Sequence, residues 1–308
     1  MTNKKFSIKD VWPILKETFK SWNEHEPWRN SAIIAYYAIF SLPGLLVIVV
    51  NLAGALFGEQ AVRGEITAQV GELIDQKTAQ EVENMIAQSR LSDQSLLMTI
   101  LGIATIIFGA TGVFYQLQQS LNLIWEVKPN PKRAWVKYLK DRLFGFGIIL
   151  VVGFLLLISL VLSALLSALS KWIMTFVPDY TVYLFKIVDF IISFGLITVL
   201  FAMMFKYLPD AELKWRDVWI GAAVTTFLFQ VGKYGLSLYF ANSDPASAYG
   251  AASSIILLMV WISYSCLILF FGVEFTKAEA VRYGHYIPPS EYAEKDEKIE
   301  YRTDQISG

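Results

Sequence analysis

Residues 249–278 read YGAASSIILLMVWISYSCLILFFGVEFTKA. From Ala251 to Thr276 this run holds one residue charged at neutral pH, Glu274. A bilayer core about 30 Å thick is crossed by about 20 mostly apolar helical residues, each rising 1.5 Å. The run is long enough to span. Backbone groups in hydrocarbon must be satisfied internally, which leaves helices or a closed barrel, and an uninterrupted apolar run lacks the alternation of a barrel strand.

Outward from this run, five more segments meet the same length and apolarity: Ser31–Phe57, Leu96–Leu117, Leu143–Leu169, Tyr183–Phe205 and Val218–Phe240. Composition agrees, with 55% hydrophobic and 17% charged residues, against about 25% charged in ordinary soluble domains. The expectation is an all-α polytopic membrane protein with six transmembrane helices. Residues 31–277 form the membrane domain, 1–30 a cytoplasmic amphipathic segment, and 278–308 a polar, disordered cytoplasmic tail.

Orientation follows from Lys and Arg, which favour cytoplasmic segments. With the N-terminus inside, residues 1–30, 118–142, 206–217 and 277–308 hold 20 of the 26 basic residues. The outer segments hold Arg63, Lys77, Arg90 and Lys171. Both termini are therefore expected in the cytoplasm, with the chain in a bacterial inner membrane. Trp28, Trp125, Trp135, Trp215 and Trp219 flank span ends on the inner side, where amphipathic rings favour the interface.

The outer loop 58–95 keeps helical spacing at Val62, Ile66, Val70, Leu73 and Ile74, then Val82, Met85 and Ile86, and predicts one or two amphipathic helices. Near the N-terminus, Ile8, Val11, Trp12, Leu15, Phe19 and Trp22 recur at amphipathic spacing. Such a helix either lies on the inner membrane face, its lysines at the headgroups, or packs on the protein's own loops.

Charge within a span costs about 2.5–3.5 kcal/mol on insertion scales, so such residues are the candidate functional positions. Asp189 and Lys233 lie at similar depth from the outer side, with Asn51 near them and Gln230 one turn deeper. They form an ion pair, or Lys233 snorkels outward while Asp189 pairs with Lys186. Glu274 sits near the inner end of the last span, level with Tyr36, Tyr37, Gln116, Gln119 and Asn122. There it is a proton or substrate group, or a structural acceptor for tyrosine hydroxyls, Arg142 or Lys206. Pro43–Gly44 predicts a kink in the first span. Ser159, Ser163 and Ser167, with Gly109, Gly112, Gly232 and Gly235, read as close-packing positions.

Several chemistries lack their residues. Gly109–Gly112 reads GATG without the Lys-Ser or Lys-Thr of a phosphate loop. His25 and His285 are not at metal-ligand spacing, so no metal or other cofactor is expected. The lone Cys266 admits no internal disulfide. A net charge of -1 argues against nucleic acid as a partner.

Four stretches resemble the YihY/BrkB group of bacterial inner-membrane proteins: AYYAIFSLPGLLVI (Ala35–Ile48), FGATGVFYQLQQSLNLIWEV (Phe108–Val127), YLPDAELKWRDVWIGA (Tyr207–Ala222) and residues 249–278. The end of the last span, with Gly272, Glu274 and Ala278, is similar to that group's pattern. The resemblance implies a six-span protein of poorly defined activity. Members once carried a ribonuclease label, for which this sequence offers neither a metal cluster nor a basic groove. The leading functional expectation is an ATP-independent transporter or permease of a small molecule or lipid, not an enzyme. An envelope scaffold or assembly protein is the alternative, and a membrane enzyme ranks third. Membrane lipids are the expected partners, and a homo-oligomer is allowed.

Overall fold

A computed structural model describes residues 10–74, 76–88, 112–130, 180–243, 252–291 and 293–296. Helix α1 (Val11–Glu24) ends at an elbow, His25–Glu26, and α2 (Pro27–Phe57) follows at once. Glu26 takes left-handed backbone angles (φ 49°). Pro27 then opens α2, where its missing N–H costs nothing. At Gly58 (φ 88°) the chain turns directly into α3 (Glu59–Leu73), an angle a side chain would resist. α4 (Gln76–Gln88) completes the helical pair expected of the outer loop.

Residues 112–124 form α5, followed by a short strand β1 (Val127–Pro129). Three long helices come next: α6 (Tyr180–Tyr207), α7 (Trp215–Ser243) and α8 (Ser253–Arg282). Gly284 (φ 71°) terminates α8, with the His285 N–H returning to the Ala280 carbonyl at 2.8 Å. The last strand, β2 (Ala293–Lys295), pairs antiparallel with β1.

α2, α6, α7 and α8 coincide with four of the expected spans. Among the described residues, Phe190–Tyr207 and Ser253–Arg282 are long and apolar enough to cross a membrane. The expected span Leu143–Leu169, and Leu96–Leu117 apart from its last six residues in α5, lie outside the described residues, as do Gly109, Trp135, Arg142 and the serine stripe. α8 is the central element, touching α1, α2, α4 and α7, while α6 packs on α7. One apolar cluster joins α5, α6, α7 and α8 around Leu121, Phe205, Val218 and Val273. A second joins the far ends of α2, α7 and α8 to α3 and α4 around Val50, Val82, Phe240 and Leu257. Ile187, Phe190, Ile191, Phe227, Val231 and Leu238 face outward, an apolar surface suited to hydrocarbon.

Helix contact is set by small residues. A Cβ on Gly221 of α7 would fall 1.8 Å from Thr276 Oγ1, and one on Gly272 of α8 would fall 1.7 Å from Thr225 Oγ1. Each glycine thus receives the other helix's threonine, whose hydroxyl donates back to a carbonyl four residues earlier. Gly112 similarly receives the Tyr37 ring and Gly232 the Tyr264 hydroxyl, whereas at Gly235 no described residue lies within 4 Å of an added Cβ.

Three expectations are corrected. The fold is not purely helical, because β1 and β2 form a two-stranded sheet. The tail after 278 is not structureless: α8 runs on to Arg282, and β2 is held by its ladder with Lys128 facing Glu294 and Asp296. Trp125 is buried in the core instead of lying at an interface, because the turn after α5 folds it inward. α2 runs helical through Pro43. The N-terminal helix packs on α8 by one face and leaves two large apolar side chains exposed. α1 buries Ile14 and Thr18, its Trp22 indole N–H donates to the Leu267 carbonyl at 3.2 Å, and Trp12 and Phe19 remain 77% and 61% exposed.

Candidate functional site

Glu274 is the one acidic side chain in the buried length of α8, 1% exposed between Val273 and Phe275. The α1–α2 elbow supplies its partner: His25 Nδ1 donates to Glu274 Oε1. The elbow geometry makes this contact. Asn30 Nδ2 donates to the His25 carbonyl at 3.0 Å, and the Asn30 backbone N–H donates to the Glu26 carbonyl at 3.2 Å. Left-handed angles at a non-glycine residue cost of order 1–3 kcal/mol, so the packing around the elbow over-determines it. Trp22 lies edge-on to Phe271 and Trp28, walling the elbow on one side.

Beside the pair is a cavity of about 10 Å³, lined by Trp22, Pro27, Asn30, Ser120, Ile124 and Phe270, the room a single water needs. A carboxylate buried in low dielectric is stable only when paired and hydrogen-bonded. The imidazole and carboxylate can hold or exchange a proton between Nδ1 and Oε1, with space for one water alongside.

Other ties surround this end of α8. Lys277 Nζ donates to Glu126 Oε1 at 2.6 Å. Arg282 Nε donates to Asp10 Oδ1 at 3.0 Å, and the Tyr283 hydroxyl donates to Asp10 Oδ2 at 3.1 Å. His285 Nδ1 meets Asp217 Oδ1 at 3.1 Å. A second buried polar knot holds the α6–α7 turn: Asn122 Nδ2 donates to Asp210 Oδ2 at 2.6 Å and Gln118 Nε2 to Asp210 Oδ1 at 3.2 Å. The Asp210 N–H donates to Asn122 Oδ1 at 2.8 Å, and the Ser290 N–H to the Asp210 carbonyl at 2.8 Å.

The expected site residues therefore scatter. Glu274 meets His25, while Lys206 donates to the Leu213 carbonyl at 2.6 Å and Asn122 belongs to the Asp210 knot. The Tyr37 ring lies over Gly112, and Tyr36 faces outward, edge-on to Tyr37 and Phe40. Gln116, Gln230 and Lys233 are half-buried on α5 and α7. Asn51 and Asp189 lie in α2 and α6 with side chains outside the described residues, as is that of Lys186, so neither arrangement of Asp189 with Lys233 or Lys186 is placed. Among the described residues no group of three His, Cys, Asp or Glu is arranged to hold a metal. Sequence reasoning missed His25 and Asp210. Their signals were a histidine one turn before an apolar run and an acid directly after Pro209, neither of which names a partner.

The family model described as virulence factor BrkB matches residues 18–297. This chain belongs to that family. The match takes in the α1–α2 elbow, Glu274, the Asp210 knot and β2. A UPF0761 membrane protein of Tolumonas auensis is 28% identical over 58% of this chain and 56% of its own length. Counterparts of the same name are 25% identical in Pseudoalteromonas atlantica, over 79% of this chain and 78% of theirs, and 23% identical in Alteromonas mediterranea, over 87% and 89%. The chain thus spans little more than half the length of the first relative and most of the other two. These names state a membrane protein and no activity. No solved structure matches the chain. It is a largely helical membrane protein of the BrkB family.

Proposed function

We propose that this BrkB-family chain is a six-span inner-membrane permease, driven without ATP, whose cytoplasmic end is gated at the His25–Glu274 contact. One observation carries the reading: a carboxylate 1% exposed in the last long helix is paired across the α1–α2 elbow beside a water-sized cavity. Ionisable groups buried in membrane helices face a protein interior and mark pathways or proton relays. In this arrangement α1, held by Asp10, Trp22 and His25, closes the end of the bundle. Release of the elbow from Glu274 opens that end towards the cytoplasm.

The topology has independent support. α3 and α4 contact the ends of α2, α7 and α8 that the Lys and Arg bias assigns to the outside, with Lys77 Nζ donating to Ser253 Oγ at 3.1 Å. α1, the β1–β2 sheet and the Asp210 knot gather at the opposite ends, where basic residues concentrate. Cysteines introduced at Gln60 and Lys214 should label from opposite sides of intact cells and inverted vesicles. Labelling of both from one side rejects the topology.

The permease reading is tested in proteoliposomes loaded with a pH-reporting dye and offered, in turn, amino acids, sugars, organic acids and fluorescent phospholipids. Wild-type protein moves at least one class without ATP, and Glu274→Gln removes that flux while remaining folded. Equal flux in both rejects the gate. A scaffold role is the second reading, favoured by the small volume of the cavity; it predicts no flux for any class.

A further inference from the structure

The basic residues at the inner end fall into two kinds. Lys277 and Arg282 each meet a carboxylate, as do Arg29 and Lys128. Lys206 in the last turn of α6, Lys214 on the turn that follows and Arg216 at the start of α7 form no ion pair among the described residues. Lys206 Nζ lies between two rings, 5.5 Å from the centroid of Tyr207 and 5.6 Å from that of Trp215. Its hydrogen bond to the Leu213 carbonyl brings it beside the residue that precedes Lys214. Tyr207 and Trp215 meet edge-on at 5.8 Å, and Trp219 continues the row at 6.0 Å. All three rings are exposed, as are Lys214 and Arg216.

No carboxylate among the described residues lies within ion-pair distance of the three cations. Asp217 Oδ1 is taken by His285, and its Oδ2 accepts the Lys214 backbone N–H at 3.1 Å. Glu212 is exposed, its N–H donating to the Pro288 carbonyl at 2.9 Å.

We propose that the α6–α7 turn binds the phosphate of an anionic phospholipid headgroup in the inner leaflet. Tyr and Trp rings settle at the headgroup level, and cations near that surface attract anionic lipid. Tyr207, Trp215 and Trp219 would settle among the headgroups, with Lys206 held between two of the rings and exposed Lys214 and Arg216 beside them to meet the phosphate. Lys206 keeps donors for that phosphate, because its ring contacts and single carbonyl bond leave ammonium protons unused. Three other cations near this end lack ion pairs among the described residues: Lys16 and Lys20 on α1, and Lys295, which lies over the Tyr286 ring. The proposal rests on the membrane topology but not on transport.

The test reconstitutes the full-length protein in phosphatidylethanolamine–phosphatidylglycerol bilayers, releases it into mild detergent and counts retained lipids by native mass spectrometry. Wild type retains phosphatidylglycerol above its share of the bilayer. Each cation removed should lower retention roughly fivefold, so Lys206→Gln/Lys214→Gln/Arg216→Gln falls to the level of the zwitterionic lipid. Lys16→Gln/Lys20→Gln keeps wild-type retention. The exposed single change Lys214→Glu guards against misfolding of the triple variant and should lose retention while staying monodisperse. Full retention in the triple variant and in Lys214→Glu, or equal loss in the α1 pair, overturns the site. Displacement of the lipid by excess inorganic phosphate overturns it too, because a free anion would then suffice. Retention is read without any flux, so its failure is separate from failure of the permease reading.

Discussion

Replacing His25 by Ala strands the carboxylate of Glu274, which is 1% exposed and so can regain little water. Removing one partner of a buried pair costs about 3–5 kcal/mol. Because His25 keeps 17% side-chain exposure, water can partly enter, and the lower end, about 3 kcal/mol, applies. That corresponds to a fall in melting temperature of roughly 5 °C for a chain of 308 residues, read by intrinsic tryptophan fluorescence in detergent. The decisive measurement repeats the change with Glu274→Gln already present. A neutral amide left without its partner costs only about 1–3 kcal/mol, at the low end where water reaches it. His25→Ala should therefore be much milder in that background, a coupling of about 2 kcal/mol. If His25→Ala costs the same in both backgrounds, the two residues do not hold each other and the closure at the elbow is wrong.

Gly221→Ala or Gly272→Ala should each destabilise by about 1–3 kcal/mol, since the new methyl meets a threonine at under 2 Å. Gly235→Ala, whose new methyl meets no described residue within 4 Å, should be neutral or stabilise by up to about 1 kcal/mol; equal losses at all three would show that α7–α8 contact is not set by these glycines. Asp210→Ala strands Asn122 and Gln118 and should cost about 1.5–3 kcal/mol, with faster proteolysis near Pro288; unchanged cleavage would refute the knot. Truncation after Glu291 removes β2 and should expose the chain at Val127–Pro129 to protease while the helices keep their melting temperature.

What was legible in the sequence was whatever follows from each segment's own exposure to hydrocarbon. Residues 253–282 form a helix because no other structure satisfies that many backbone groups in lipid, and the bounds of α2, α6 and α7 follow from the same rule. The α3–α4 pair was legible from its periodicity. The site was legible only in half. Glu274 was conspicuous as a charge in an apolar run, while its partner stands 249 residues away and His25 in isolation is an ordinary surface histidine. Asp210 and Asn122, 88 residues apart, were hidden in the same way. The tail misled because its polar composition predicts disorder, whereas three residues are ordered by a ladder with β1 that no local pattern announces.

The amino-acid sequence by itself therefore determined that this chain is a membrane protein and where its long helices run, because transfer of peptide and charge into hydrocarbon is an energy each segment bears alone. The tertiary structure decided which buried charge meets which, which glycine admits which threonine, and how the tail is held. Those are contacts between distant segments, and their energies exist only once the helices have been brought to within a few ångströms of one another.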